Sequence, residues 1–414
     1  FFFKQKTAYE ILRSDWSSDV CSSDPFYMNN FNFCVPTDIR FGKGQIACLP
    51  EELKKYGKRI LMVYGGGSIK RTGLYDTILD LLKEFEIYEL SGIEPNPKLD
   101  SVRKGAAICK EKKIDMILAV GGGSSIDASK HIACAAYYEG DAWDLMLDRS
   151  KMTKALPIAV VLTMAATGSE MNPGAVITNE ETNEKIEIAG PILYPTISIC
   201  DPTYLYTLPA KQTAAGTADI LSHAMEQYFQ PTDDAYLTDR ISESLMKTVI
   251  HYGPIALKEP ENYEARANLM WASSLGLNHI LTVGKGGAWS CHPIEHELSA
   301  YYDITHGEGL AIVTPAWMKA VLCDATVERF AMFGRNVWDI TEGDTREIAG
   351  KAIEKTAEFF KSLGLPSTLK EVGINAEKFE EMAEEAVRTS GISTRSYYHL
   401  NKEDIVKIYE SCAE

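Results

Sequence analysis

The chain has no CxxC pair, no apolar run as long as a membrane span and no stretch dense in lysine and arginine. Its nine cysteines are scattered from Cys21 to Cys412. That spacing is unlike a four-thiolate zinc site and fits reduced thiols in a cytoplasm better than a disulfide framework. A membrane-spanning helix needs about 20 consecutive apolar residues, so no membrane association is expected. A formal net charge of -16 argues against nucleic acid as a ligand, because a polyanion must be met by a concentrated basic surface. No internal repeat and no low-complexity linker is found. These absences leave a soluble cytoplasmic protein as the expectation.

The first residues also lack something: neither an apolar signal-peptide core nor a small-residue cleavage site is present. The stretch Phe1-Phe2-Phe3-Lys4-Gln5-Lys6-Thr7-Ala8-Tyr9-Glu10, followed by Asp15-Trp16-Ser17-Ser18-Asp19-Val20-Cys21-Ser22-Ser23-Asp24, resembles a translated sequencing-adapter read-through. Residues 1–27 are therefore expected to be a non-native or disordered extension, with the native chain starting at Met28.

The remaining length suits two ordinary domains. From about Phe31 to Pro202, short β-branched runs alternate with amphipathic helical stretches. The clearest strands are 59–64, 116–120, 158–162 and 196–200, with helices expected near 75–85 and 101–112. Alternation of this kind implies a parallel, Rossmann-like sheet covered on both faces, with ligands at the carboxyl ends of its strands. After about Leu205 the segments 240–250, 263–275, 310–320, 346–363 and 376–388 keep helical spacing and have no matching strands. The expected division is an α/β dinucleotide-binding domain over 28–205 and an all-α metal-binding domain over 206–414.

Two strands of the first part run into glycine turns, Gly65-Gly66-Gly67-Ser68 and Gly121-Gly122-Gly123-Ser124. Neither is a GxGxxG fingerprint. A strand, small residues and then a helix still let backbone N–H groups approach a phosphate without interference from a Cβ. Asp127 and Lys130 follow the second turn, facing either a cofactor or solvent.

Among eight histidines, three fall between His292 and His306, and His223 lies four residues after Asp219. Four residues turn a helix by about 400°, so Asp219 and His223 share a face, as do His292 and His296. Pro293 suits a first helical turn, and a break at Asp303-Ile304-Thr305 precedes His306. A carboxylate with imidazoles suits a borderline divalent ion such as Fe2+ or Zn2+. Spacing alone leaves membership among the five open, and each pair would also suit a helix surface. Glu295 precedes His296 instead of following His292, so the segment is not the HExxH of a metalloprotease.

Several motifs, taken together, resemble the iron-containing, or group III, alcohol dehydrogenases, in their butanol dehydrogenase and aldehyde reductase branch. They are Met28-Asn29-Asn30-Phe31-Asn32-Phe33, Phe41-Gly42-Lys43-Gly44, Gly92-Ile93-Glu94-Pro95-Asn96-Pro97, Ala119-Val120-Gly121-Gly122-Gly123-Ser124, Ala166-Thr167-Gly168-Ser169-Glu170, Leu208-Pro209 and the 292–306 segment. The resemblance runs from Met28 nearly to the C-terminus and implies a dehydroquinate synthase-like architecture. It implies Asp219, His223, His292 and His306 as ligands of one divalent ion, Fe2+ or Zn2+. His296 is then a neighbour beside the reacting centre that handles a proton, or a buried histidine fixing helix geometry. It also places Asn96, Gly122, Gly123, Ser124, Asp127, Thr163, Thr167 and Lys185 around the dinucleotide, although the context of Lys185, Asn183-Glu184-Lys185-Ile186-Glu187, equally fits a solvated charged turn.

At the first glycine turn, Gly65, Gly66, Gly67 and Ser68 lead into Lys70 and Arg71 with no acid. An acid there would bind a ribose diol and repel a 2′-phosphate, so NADP(H) is expected over NAD(H). The implied reaction is hydride transfer between this cofactor and a small aldehyde or primary alcohol. Trp289 and Tyr301 are candidate pocket residues, although a large aromatic near a metal is as often core as pocket. A homodimer is implied, the early strand near 31–41 commonly joining a partner subunit. An NAD-dependent, glycerol-type polyol dehydrogenase is the second reading. A non-catalytic binding protein would need a lost ligand or a broken turn, and neither is seen.

Overall fold

The computed structural model describes residues 28–232 and 234–414, and the expectations about residues 1–27 lie outside the described residues. The first part contains strands β1 (Asp38–Phe41), β2 (Arg59–Tyr64), β3 (Glu86–Leu90), β4 (Met116–Gly121), β5 (Ile158–Leu162), β6 (Gly174–Asn179), β7 (Glu184–Ala189) and β8 (Ile197–Cys200). Helices α1 (Leu49–Leu53), α2 (Ser68–Arg71), α3 (Leu74–Leu81), α4 (Leu99–Lys112), α5 (Gly123–Ala135) and α6 (Trp143–Leu147) lie between them. Six strands form one parallel sheet in the order β1-β8-β5-β4-β2-β3, and β6 pairs antiparallel with β7 as a separate hairpin.

The central strands β2, β4 and β5 are apolar because both faces are covered. Along β2, Leu61 and Val63 pack with α4 and α5 on one face, while Ile60, Met62 and Tyr64 pack with α1 and α3 on the other. Each such side chain stabilises the fold by about 1.5–3 kcal/mol. With register Tyr64↔Val120 between β2 and β4, the two glycine turns leave neighbouring strands side by side.

The second part is a helical assembly with no strand after β8 among the described residues: α7 (Ala210–Tyr228), α8 (Tyr236–Lys258), α9 (Tyr263–Gly276), α10 (Cys291–Tyr302), α11 (His306–Val321), α12 (Val327–Val337), α13 (Thr345–Ser362), α14 (Phe379–Thr389) and α15 (Lys402–Ser411). Helix α7 is buried from Thr213 to Tyr228, as expected of a central helix surrounded by others. Helix α10 ends where Asp303 takes a left-handed conformation, φ 50°, and His306 opens α11. No described helix is long and apolar enough to cross a membrane.

The β6–β7 hairpin and β3 are absent from the strands expected above. Strand β3 is a half-exposed edge strand, and β7 alternates charged with apolar residues, so neither reads as a buried apolar run.

Candidate metal and dinucleotide site

Helix α7 carries Asp219 and His223 one turn apart on its buried face, α10 carries His292, and the first residue of α11 is His306. Asp219 Oδ1 lies 3.6 Å from His223 Nε2, 3.9 Å from His292 Nε2 and 3.6 Å from His306 Nε2. A tetrahedral ion with ligand bonds of about 2.1 Å separates its ligands by about 3.4 Å. Asp219 Oδ1 and His292 Nε2 are both buried, and neither has a hydrogen-bond partner among the described residues. Such orphans are costly unless a missing group completes them. Asp219, His292 and His306 bring one donor each within 4.8 Å of one another, and His223 Nε2 adds a fourth 3.6 Å from the same carboxylate oxygen. One oxygen with imidazole nitrogens is a donor set that fits a divalent ion of the Fe2+ or Zn2+ type.

The imidazoles of the cluster differ in their electrostatics: burial pushes His292 down, but the Asp219 and Glu226 carboxylates outweigh it and raise it to about 9. Burial alone pushes the Asp219 carboxyl up, but His223, His292 and His306 together hold it well below the usual range. Burial pushes His223 down to about 3 and, helped by the charge of Lys185, also holds His296 well below its ordinary value. Both rings are thus neutral at physiological pH. His223 stacks on His292 with ring centroids 4.8 Å apart, and Trp289 packs against His292 at 4.6 Å with its ring tilted by 60°.

The cluster opens on a cavity of about 700 Å³. Its helical wall includes His223, His292, His296, His306 and Trp289. The opposite wall comes from the strand ends and the hairpin, and includes Asn96, Gly123, Ser124, Asp127, Thr167 and Lys185. At the second glycine turn the absence of a side chain is sterically required. A Cβ on Gly122 would lie 2.9 Å from Met164 Cβ, and one on Gly123 would lie 2.5 Å from Thr167 Cγ2. The remaining predicted residues, Gly65, Gly66, Gly67, Ser68, Gly122 and Thr163, are not on the cavity wall. Thr163 instead donates its backbone N–H to Gly121 O at 2.9 Å, tying β5 to the turn.

At three residues the sequence left alternatives open, and the structure narrows each. Lys130 faces neither a cofactor nor solvent: it is fully buried and donates to Ser169 Oγ at 2.8 Å, Asn172 Oδ1 at 2.9 Å and Gly174 O at 2.7 Å. Burial pushes its pKa down to about 8. Lys185 is not in a solvated turn. It lies in β7, buried, with Nζ 3.0 Å from Asn96 Oδ1 and 3.8 Å from Glu295 Oε2. Asn96 in turn donates to Asp303 Oδ1 at 3.0 Å, so this pair links the sheet to the loop before His306. Tyr301 lies off the cavity and packs on the helical core, because nine residues carry it about 180° round α10 from His292.

Asp127 lies on the cavity wall, yet each of its oxygens accepts from the protein, Oδ1 from Ser169 Oγ at 2.5 Å and Oδ2 from the Val176 N–H at 2.9 Å. It therefore shapes the wall through the 169–176 segment.

Residues 36–202 match the model of a family described as iron-containing alcohol dehydrogenase, and residues 213–413 match that of the C-terminal part of the Fe-containing alcohol dehydrogenase family. The chain belongs to the iron-containing alcohol dehydrogenase family. It is an NAD(P)-dependent oxidoreductase acting on CH–OH groups. It is 55% identical over 386 residues to NADH-dependent butanol dehydrogenase A of Clostridium acetobutylicum, covering 92% of this chain and 99% of that protein. It is 42% identical over 352 residues to the NADPH-dependent aldehyde reductase YqhD of Escherichia coli, covering 84% and 90%. The crystal structure of NADH-dependent butanol dehydrogenase A from Thermotoga maritima superposes with a TM-score of 0.89 at 41% identity, covering 94% of this chain and 100% of that one. The Rossmann-like sheet joined to a helical half is thus the dehydroquinate synthase-like architecture of this family.

Two acids escaped the sequence reading. Glu226 accepts from His292 Nδ1 at 3.1 Å and from the backbone N–H groups of Ser290 at 2.8 Å and His292 at 2.7 Å. Glu295 accepts from Ser299 Oγ at 2.6 Å and pairs with His306 Nδ1. Spacing held a signal: Glu226 is seven residues after Asp219, and Glu295 three after His292, on the same helix faces. His279, with φ 73°, also lines the cavity.

Proposed function

We propose that this enzyme reduces short aldehydes to primary alcohols and catalyses the reverse oxidation, with one divalent ion held by Asp219, His223, His292 and His306. The observation that carries this reading is the unpartnered Asp219 Oδ1 facing three Nε2 atoms at one end of the strand-end cavity. When bound, a nicotinamide dinucleotide supplies or accepts the hydride, and Fe2+ or Zn2+ supplies a Lewis acid for the oxygen of the reacting carbon. The chain's residues do the rest. Gly123 and Ser124 on the cavity wall give the dinucleotide close access to backbone N–H groups, and Gly122 behind them lets the turn pack against Met164. Asn96, Asp127, Thr163, Thr167 and Lys185 shape or line its wall. Trp289 shields the imidazoles from water on one side. His296, neutral and beside His306 at a ring distance of 5.5 Å, holds or releases the proton exchanged with the substrate oxygen.

NADP(H) is the proposed preference. Gly65, Gly66, Gly67 and Ser68 are followed by Lys70 and Arg71, both exposed, with no acid among them. The names of the relatives point both ways, to NADH at 55% identity and to NADPH at 42%. A higher kcat/KM with NADPH than with NADH supports the preference, and the reverse order overturns it. We also propose a homodimer joined through the open edge of β1, to be read from the solution mass. A reducing cytoplasm suits the eight described cysteines, all unpaired.

The reaction itself is tested with a panel of short aldehydes, following NADPH absorbance in a metal-replete sample. Aldehyde-dependent oxidation is expected, and its absence across the panel would overturn the reading.

A further inference from the structure

We infer that Glu226 and Glu295 are positioning residues that fix the ring orientation and tautomer of two metal-ligating histidines, and so set the affinity of the site for its divalent ion. The inference rests on the metal reading given above. An imidazole binds an ion through a nitrogen lone pair, and its other nitrogen then carries the proton. A carboxylate can only accept, so a carboxylate on Nδ1 places the proton there and leaves the Nε2 lone pair free. The Nδ1 of His292 meets Glu226 at 3.1 Å, and the Nδ1 of His306 meets Glu295, while both Nε2 atoms face Asp219 Oδ1. His223 has no carboxylate on its Nδ1 among the described residues.

The arrangement forms a relay of helices. Asp219, His223 and Glu226 lie within a narrow arc of α7, since four and seven residues turn a helix by about 400° and 700°. Helix α7 thus supplies two ligands and reaches across to orient a third, on α10. Glu295 lies on α10 between His292 and His296, and reaches onward to His306 on α11. Each orienting carboxylate therefore sits on an earlier helix than the ring that it holds.

Charge strengthens the argument. Glu226 and Glu295 are 5% and 0% exposed, and a buried carboxylate is costly without positive charge nearby. No lysine or arginine pairs with Glu226 among the described residues, and Lys185 stands 3.8 Å from Glu295. Three buried carboxylates, counting Asp219, converge on the cluster with one ammonium. A divalent cation balances that set.

The test uses the full chain stripped of metal by chelation and titrated with Co2+ against a chromophoric chelator, following the visible absorption of bound Co2+. Glu226→Gln and Glu295→Gln are near-isosteric and sit on different helices, so either alone decides the question. Each should raise the Co2+ dissociation constant by about 10- to 100-fold and alter the Co2+ spectrum. Glu297→Gln serves as the control. Glu297 is buried on the same helix, 3% exposed, and touches no ligand ring, so its variant should match the parent. A parent chain that takes up Co2+ while E226Q and E295Q bind it as tightly, with unchanged spectra, overturns the inference and spares the metal reading. A parent chain that takes up none overturns both.

Discussion

The strand-end wall and the helical wall face each other across one cavity, yet they build function by opposite means. At the strand ends the chain withholds side chains, and Gly122 and Gly123 leave space where a Cβ would collide with Met164 or Thr167. On the helical wall it concentrates them, placing one nitrogen of each of three imidazoles within 4 Å of a single oxygen, Asp219 Oδ1. The first wall depends on backbone access and tolerates little added volume. The second depends on lone-pair direction and tolerates no lost donor. Damage to the two should therefore separate in binding measurements even though either stops turnover.

The largest separation is expected from His292→Ala. Losing one of four donors should remove the metal and lower turnover by about 10³-fold or more, the equivalent of several kcal/mol of lost oxygen polarisation. Dinucleotide affinity, read by fluorescence quenching, should stay near that of the parent. Equal loss of both would erase the contrast between the walls. Lys130→Met is next. It strands the acceptor Gly174 O beneath the strand-end wall and leaves the buried Asp127 and Glu170 without the ammonium of Lys130, and should cost about 3 kcal/mol in denaturant unfolding with metal uptake unchanged. Because burial holds Lys130 at about 8 against an ordinary 10.5, the unfolded chain binds more protons between those values. This lysine therefore makes stability rise with pH across that window, and the variant should lose that slope.

Gly123→Ala is expected to weaken dinucleotide binding and to cost about 1–3 kcal/mol of overpacking, since Thr167 cannot retreat without losing the Ser169 N–H that its hydroxyl accepts at 3.2 Å. The smallest effect belongs to Gly66→Ala in the other glycine turn. Nothing lies within 4 Å of a Cβ there, so stability should change by less than about 0.5 kcal/mol. A large loss at Gly66 would show that the two turns are more alike than their packing.

The sequence made the central strands and the α7 and α10 pairs legible because each rests on local periodicity: β2, β4 and β5 are continuous apolar runs, and a spacing of four fixes a helix face. It was silent where meaning depends on a distant partner. Glu226 reads as one more helical acid until α10 is laid beside it. Lys185 reads as a surface charge until β7 pairs with β6 and turns it toward Asn96 and Glu295. Lys130 could face a cofactor or solvent by sequence alone because its three acceptors lie 39 to 44 positions away. Tyr301, core or pocket by sequence alone, packs on the core for a simpler reason, the rotation along α10 that carries it away from His292.

The central claim is that the helical cluster holds the ion on which turnover depends while the strand-end wall binds the dinucleotide independently. Titrating Fe2+ or Zn2+ into chelated protein in the presence of NADPH and a short aldehyde tests this most directly. The expected result is no turnover before addition, with NADPH still bound, and a rise that saturates at one ion per chain. Full turnover in the metal-free protein would contradict it.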